Sequence, residues 1–290
     1  MLRKSIAAAV LSALALACRP DLDTRERQEL DRLDVALKKI ETSPMPAELA
    51  DLPKGHRARL ESARAATTPE ERLYKMRDAF IGIELLTVLR EQKRAGEDLQ
   101  ALRALWSSQR ARFRSGAPEV RGSLMIRALA QSAQNRAEKL YRASLPYGET
   151  SSPFSGLFYF AEAEGNLRFR DFLSTLPAAA TDNHAQNDAL RAELELLEHE
   201  TLTKFQGDPS GRTTIRASAR LKEARELYER HFLDGAALAL AESRSYLHAE
   251  AAGGSIPDAV AALATRTAPA QRAASRVAQV TVTLVRWPYT

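Results

Sequence analysis

The sequence predicts an all-α fold of stacked antiparallel helical hairpins, with a closed helical bundle as the alternative. Three observations predict it. Apolar residues recur at spacings of three and four along most of the chain. Capping residues, prolines and glycines mark where helices start and stop. The one stretch that partly alternates, Val277 to Val285, has no second strand-like segment to pair with, so it reads as the end of a helix.

Leu30, Leu33, Leu37 and Ile40 share one helical face, and Pro44 and Pro46 end that helix. Thr68, Pro69 and Glu71 form the next start: a cap, a first-turn proline and the glutamate of a capping box. The helix continues through Leu73, Met76, Phe80, Ile83, Leu86 and Leu89 and stops at Gly96. A second carries Leu99, Leu102, Leu105, Trp106 and Phe113. So short a break predicts that the two fold back as an antiparallel hairpin. A third begins at Pro118 and runs to Tyr141.

Residues 146–156, rich in Pro, Gly, Ser and Thr, form a loop and the best internal boundary. Phe158, Ala161, Gly165, Phe169 and Phe172 then trace a stripe, and Leu190, Leu194, Leu197, Leu202 and Phe205 trace another. Gly207 to Gly211 is a break. A hairpin of roughly 212–231 and 234–250 follows, then a short helix from Pro257.

The N-terminal residues have the three parts of a secretory signal: Arg3 and Lys4, an apolar run from Ile6 to Ala17, and small residues before Cys18. The run of twelve is too short to span a bilayer core, which takes about 20. Residues 1–18 resemble the lipobox of bacterial lipoproteins, in which the cysteine is acylated after cleavage before it. Ala15 stands where leucine is usual. The resemblance implies cleavage after Ala17 and lipidation of Cys18; ordinary cleavage leaving a free thiol is the rival. Cys18 is the chain's single cysteine, at the one position where acylation consumes it. Arg19, where aspartate favours retention in the inner membrane, implies the outer membrane, facing the periplasm.

Removing residues 1–17 from 290 leaves 273, enough for one large helical domain or two smaller ones. The organisation read is signal peptide 1–17, lipidated N-terminus and first helix 18–46, hairpins 47–145, loop 146–156, and hairpins 157–290. Net charge falls from +5 to +3 when Arg3 and Lys4 leave, which does not argue for nucleic acid. Residues 90–142 hold twelve Lys or Arg against five acids, and 185–208 two against six. Arg103, Arg110, Arg112, Arg114 and Arg121 are candidates for a basic surface facing a partner or anionic headgroups. Two ordinary solvated faces are the alternative.

An element recurs at Tyr74, Tyr141 and Tyr228, at intervals of 67 and 87 residues, so there is no fixed period. Residues 221–247 are similar to a tetratricopeptide unit: Leu221, Ala224, Leu227 and Tyr228 on the first helix, Ala236, Ala237 and Leu240 on the second. The resemblance implies a groove to which Leu221, Ala224 and Tyr228 contribute.

None of the five histidines has a metal-binding spacing, and no phosphate-binding glycine loop or serine elbow is present. Glu195 and His199 share a helix face, more simply an acidic solvated one than the start of a zinc site. Glu242-Ser243 resembles the Glu-Ser of lytic transglycosylases, without the Gly-, Met- and Gln-bearing segment downstream; otherwise Glu242, like Glu162 and Glu164, reads as a solvated helix residue. The functional expectation is a non-catalytic interaction or assembly scaffold, without cofactor or metal, held to a membrane through Cys18 and meeting a protein partner. A helical carrier of an apolar ligand lined by Phe154 to Phe172 is the second reading, and a cell-wall enzyme the third.

Overall fold

A carboxylate at the entrance sets the first helix, α1 (Leu22–Glu41): Asp21 accepts a bond from Thr24 N at 2.8 Å, and Leu30, Leu33, Leu37 and Ile40 are buried on one face. The computed structural model describes residues 21–43, 49–114, 120–149, 152–177, 184–208, 211–248 and 255–265. Ala17, Cys18, Pro118 and the Val277–Val285 stretch lie outside them, as does the side chain of Arg114. Within the described residues the chain continues as α2 (Leu52–Arg64), α3 (Pro69–Glu91), α4 (Lys93–Glu97), α5 (Leu99–Arg114) and α6 (Leu124–Ser144). After a 3-10 turn at Leu145–Glu149 come α7 (Pro153–Ser174), α8 (Asn187–Gly207), α9 (Arg212–Glu229), α10 (Leu233–Leu247) and α11 (Ile256–Thr265).

The local signals act as the sequence predicts at several ends. Thr68 accepts from Glu71 N at 3.2 Å, and Glu71 reaches back to Thr67 rather than to Thr68. Ser123 caps α6, five residues after the expected start at Pro118. At the end of α9, His231 takes a positive φ of 59°. Phe232 N then bonds Leu227 O and His231 N bonds Tyr228 O, a Schellman closure that turns the chain directly into α10.

Three antiparallel hairpins, α2/α3, α6/α7 and α9/α10, stack in the spatial order α2, α3, α7, α6, α10, α9. The fold class expected from sequence is therefore the one observed. Register is visible in pairs along each contact. Phe80 meets Phe169 with ring centroids 5.2 Å apart, and Glu84 binds Arg168 at 2.7 Å, so α3 and α7 run antiparallel. Tyr141 faces Phe160 while Arg170 bonds Gln134 farther along α6 and α7. Arg220 pairs with Glu242 at 3.1 Å, and Ser243 Oγ donates to Ala217 O, across α9 and α10.

The stack is not an open solenoid, in which a unit touches only its neighbours. α11 packs on α10, α6, α8 and α3, and side chains of α3 reach α10. One continuous apolar core runs from Leu30 to Leu263. The loop around 146–156 joins the two helices that pack most extensively on each other.

The hairpin expected between residues 69–94 and 99–116 does not form. The chain breaks at Gln92, α4 intervenes, and α3 packs instead on α1, α2 and α7. Asp98 then starts α5 by accepting from Gln100 N at 2.8 Å. The break is longer than glycine spacing implied, because Gly96 sits inside α4 rather than ending α3.

Two close approaches set how tightly α3 is gripped. A Cβ on Gly165 would stand 2.7 Å from the Ile81 carbonyl oxygen, so only glycine lets α7 lie this near α3. A Cβ on Gly82 would stand 1.8 Å from His56 Cε1, so the imidazole fills the space a side chain would take. Burial, then the charge of Arg59, pulls the His56 pKa down to about 4. A histidine in the unfolded chain takes its proton near 6.5, so stability from neutral His56 is present above that pH and is lost as pH falls from 6.5 toward 4. The melting temperature is expected to drop across that window, and to drop less in His56→Gln. An NMR titration placing the His56 midpoint near 6.5 would contradict this.

Candidate functional site

Two features stand out from the helical framework: a cluster of buried charge between the hairpins, and an exposed apolar groove on α8 and α9. The first centres on Glu242, 4% exposed on α10. Its Oε1 accepts from Arg77 Nη1 at 2.8 Å and from the Tyr74 hydroxyl at 3.0 Å, and its Oε2 lies 3.1 Å from Arg220 Nε. Arg220 also binds Glu223 at 2.5 Å, and Glu223 accepts from Ser132 at 3.0 Å. Burial works against the Glu223 charge, but Arg136 and Arg220 outweigh it and hold the carboxyl below its ordinary range. Burial, with the Glu242 charge next, pushes the Tyr74 hydroxyl up. Four helices, α3, α6, α9 and α10, are thus joined by one set of ionic bonds.

The reading of Glu242 as a solvated helix residue gives way to this geometry. It is not a solvated residue, and both carboxylate oxygens are taken up by cations of its own chain. Glu164 is likewise buried and paired, with Arg112 at 2.7 Å and Arg168 at 3.2 Å. Glu162 is half-buried, and burial, opposed by Arg136, raises its carboxyl. Glu195 stays exposed and pairs with Arg191, and His199 is exposed. Among the described residues no group of three His, Cys, Asp or Glu side chains could hold a metal ion.

The four candidate arginines whose side chains are described sit on α5 and on the segment before α6. Arg103 donates to the Gly148 carbonyl at 2.5 Å, and Arg112 turns toward Glu164 and Asp171. Arg110 and Arg121 are exposed on separate segments, one on α5 and one before α6. The acidic stretch 185–208 meets α9 and α10 instead of 90–142: Glu193 pairs with Arg244, Glu198 with Arg225 and Glu200 with His248.

The groove lies between α8 and α9. Leu202, Phe205, Ile215 and Leu221 line it, with Thr201, Ser218 and Ala219 between them, enclosing about 1040 Å³ open to solvent. Leu202 is 51% and Ile215 52% exposed. Spacing had put Leu202 on the buried stripe of α8. The stripe passes instead through Leu190, Leu194, Leu197 and Thr201, and Leu202 sits one position, about 100° of rotation, to its side. Ile215 carried no signal beyond being the lone large apolar residue in a polar turn. Of the three residues expected to form a groove, Leu221 lines this one, Ala224 is fully buried, and Tyr228 is half-buried against the core. The three recurring tyrosines also differ: Tyr141 donates to Trp106 O at 3.1 Å, Tyr74 to Glu242, while Tyr228 packs on the core.

Comparison with protein-family models, with curated proteins and with solved structures finds no match for this chain. The geometry therefore has to carry the functional reading. The charged cluster binds the chain to itself, whereas the groove leaves apolar surface uncovered. Removing one partner of a buried pair strands the other, at a cost of about 3–5 kcal/mol. Arg77→Ala is expected to lose that much stability in urea unfolding. Arg77→Met combined with Glu242→Leu should lose less, since Arg220 keeps Glu223. A single variant within about 1 kcal/mol of wild type, the median of exposed pairs, would contradict the assignment.

Proposed function

We propose that this protein is an interaction module of the bacterial envelope, tethered by an acyl group on Cys18 to the outer membrane and facing the periplasm, where it holds a helical segment of a protein partner. The observation that carries the reading is the α8–α9 groove, whose exposed Leu202 and Ile215 flank Phe205 and Leu221. Large apolar side chains gathered in an open groove, unlike the same residues scattered singly, mark a place where another apolar surface settles. An amphipathic helix fits such a groove through residues at i, i+3, i+4 and i+7.

The flanks differ in charge. The α8 side carries Glu198, and the α9 side Lys222 and Arg225, the latter paired with Glu198. A partner helix with bases along one edge and acids along the other would be held in a single direction, since like charges across an interface are disfavoured. No helix of the described residues is long and apolar enough to cross a membrane.

A photo-reactive residue placed at Leu202 in cells tests both halves. The expected result is one defined protein adduct in the membrane fraction. Ile215→Glu should abolish it, and Cys18→Ala should leave the protein unacylated and move it out of that fraction. Labelling no stronger than from Val35, which is 65% exposed on α1, would overturn the groove. Unchanged acylation and fractionation of Cys18→Ala would overturn the tether.

A further inference from the structure

A more enclosed apolar space than the α8–α9 groove lies elsewhere, where the C-terminal ends of α1 and α3 meet α4 and the first turns of α7. It holds about 380 Å³, within the range of small-molecule sites. Ile40, Leu49, Leu86, Leu89, Phe154 and Leu157 wall it. The packing that creates it is specific: α4 steps aside from the axis of α3 after Gln92, and Gly96 keeps that short helix against Leu157 and Phe154. Phe154 and Leu157 belong to the segment Phe154 to Phe172 considered as a pocket lining, whereas Phe169, farther along it, is fully buried against Phe80.

Two cations, Arg90 and Lys93, stand on this lining with one acid, Glu97. Glu97 lies 3.6 Å from Lys93. Among the described residues Arg90 makes only long contacts, 3.4 Å to Ser43 Oγ and 3.5 Å to Lys39 O, and its side chain is exposed and open to a stronger acceptor. An apolar chamber with an exposed guanidinium at its edge matches a molecule with one hydrocarbon tail and one anionic head. Arginine favours a carboxylate, which it can meet through two parallel bonds.

We propose that this pocket binds a long-chain fatty acid, its tail among Leu86, Leu89 and Leu157 and its carboxylate on Arg90. The site takes a free amphiphile, beyond the partner binding proposed for the groove on α8 and α9, and either reading can fail without the other.

Photolabelling of the purified full chain with a myristate analogue carrying a terminal diazirine tests the site. Adducts are expected on peptides that contain Leu86 to Leu89 or Phe154 to Leu157, and myristate should displace the label. Tetradecanol should compete about tenfold less well, the worth of one charge-assisted bond, and Arg90→Gln should bring myristate down to the level of the alcohol. Gly96→Leu fills the chamber from α4 and should remove the adducts while the circular dichroism melt is kept; should it fail to fold, Leu86→Trp serves the same purpose. Adducts spread over the surface, undiminished labelling of a folded filling variant, or equal competition by the alcohol would each overturn the proposal. Labelling that is blocked in the acylated chain and restored in Cys18→Ala would mean that the protein's own anchor fills the pocket, and would overturn it too.

Discussion

Glu242 cannot be buried on α10 unless cations from other helices meet it, and that requirement ties the last hairpin to the first. Arg77 comes from α3, Arg220 from α9, and both reach a carboxylate that is 4% exposed. An ion pair withdrawn from water contributes little net stability, because desolvation offsets most of the attraction. Its effect is on choice: any slip of α3 along α10 takes Arg77 from Glu242 and leaves that carboxylate with Arg220 alone. The same device recurs. Asp234, 1% exposed, accepts from Arg127 Nε at 2.8 Å and from Ala185 N at 2.9 Å, which pins the start of α10 to α6 and to the segment before α8. Arg72 holds Glu26 at 2.8 Å and Asp23 at 2.5 Å, which docks α1 on α3. Apolar burial drives these helices together, and the buried arginines settle which arrangement results.

That division explains what could be read from the chain. The stripe Leu30, Leu33, Leu37, Ile40, the Thr68 cap and the α9/α10 hairpin depend on neighbours in sequence, and all three are legible. Helix α2 is not, because its buried face is made of Pro53, His56, Leu60 and Ala63, only one of them a large apolar residue. The buried charges are invisible for a related reason. Glu242, Glu164 and Arg77 look like solvent-facing residues until a partner 50 or more positions away is brought to them. The misjudged α3/α5 hairpin failed on one turn: a glycine was taken for a stop, and the intervening α4 sends the chain off along α7. Of the groove between α8 and α9, Leu221 carried a signal only as part of a tetratricopeptide-like face, while Leu202 lies one position off the buried stripe of its helix.

The same packing leaves two apolar surfaces open, on different parts of the molecule. The first arises because α8 buries a narrow stripe through Thr201 and turns Leu202 outward beside Ile215. The second arises because α4 departs from α3 and opens a space at the end of α1 opposite its capped start. Neither involves the ionic cluster, whose members are all committed to one another. Framework and surface are thus separate: Leu202 and Ile215 lie on exposed apolar surface, and Arg77 and Glu242 in the buried contacts that hold the hairpins in register.

The central claim is that buried charge makes the first and last hairpins one cooperative unit. Native-state hydrogen exchange measures it most directly. Amides of α3, α7, α6 and α10 should exchange only through global opening, with one shared free energy and one shared denaturant slope. If α9 and α10 opened at a lower free energy while α3 and α7 stayed protected, the Glu242 bonds would not couple the hairpins and the account would be wrong.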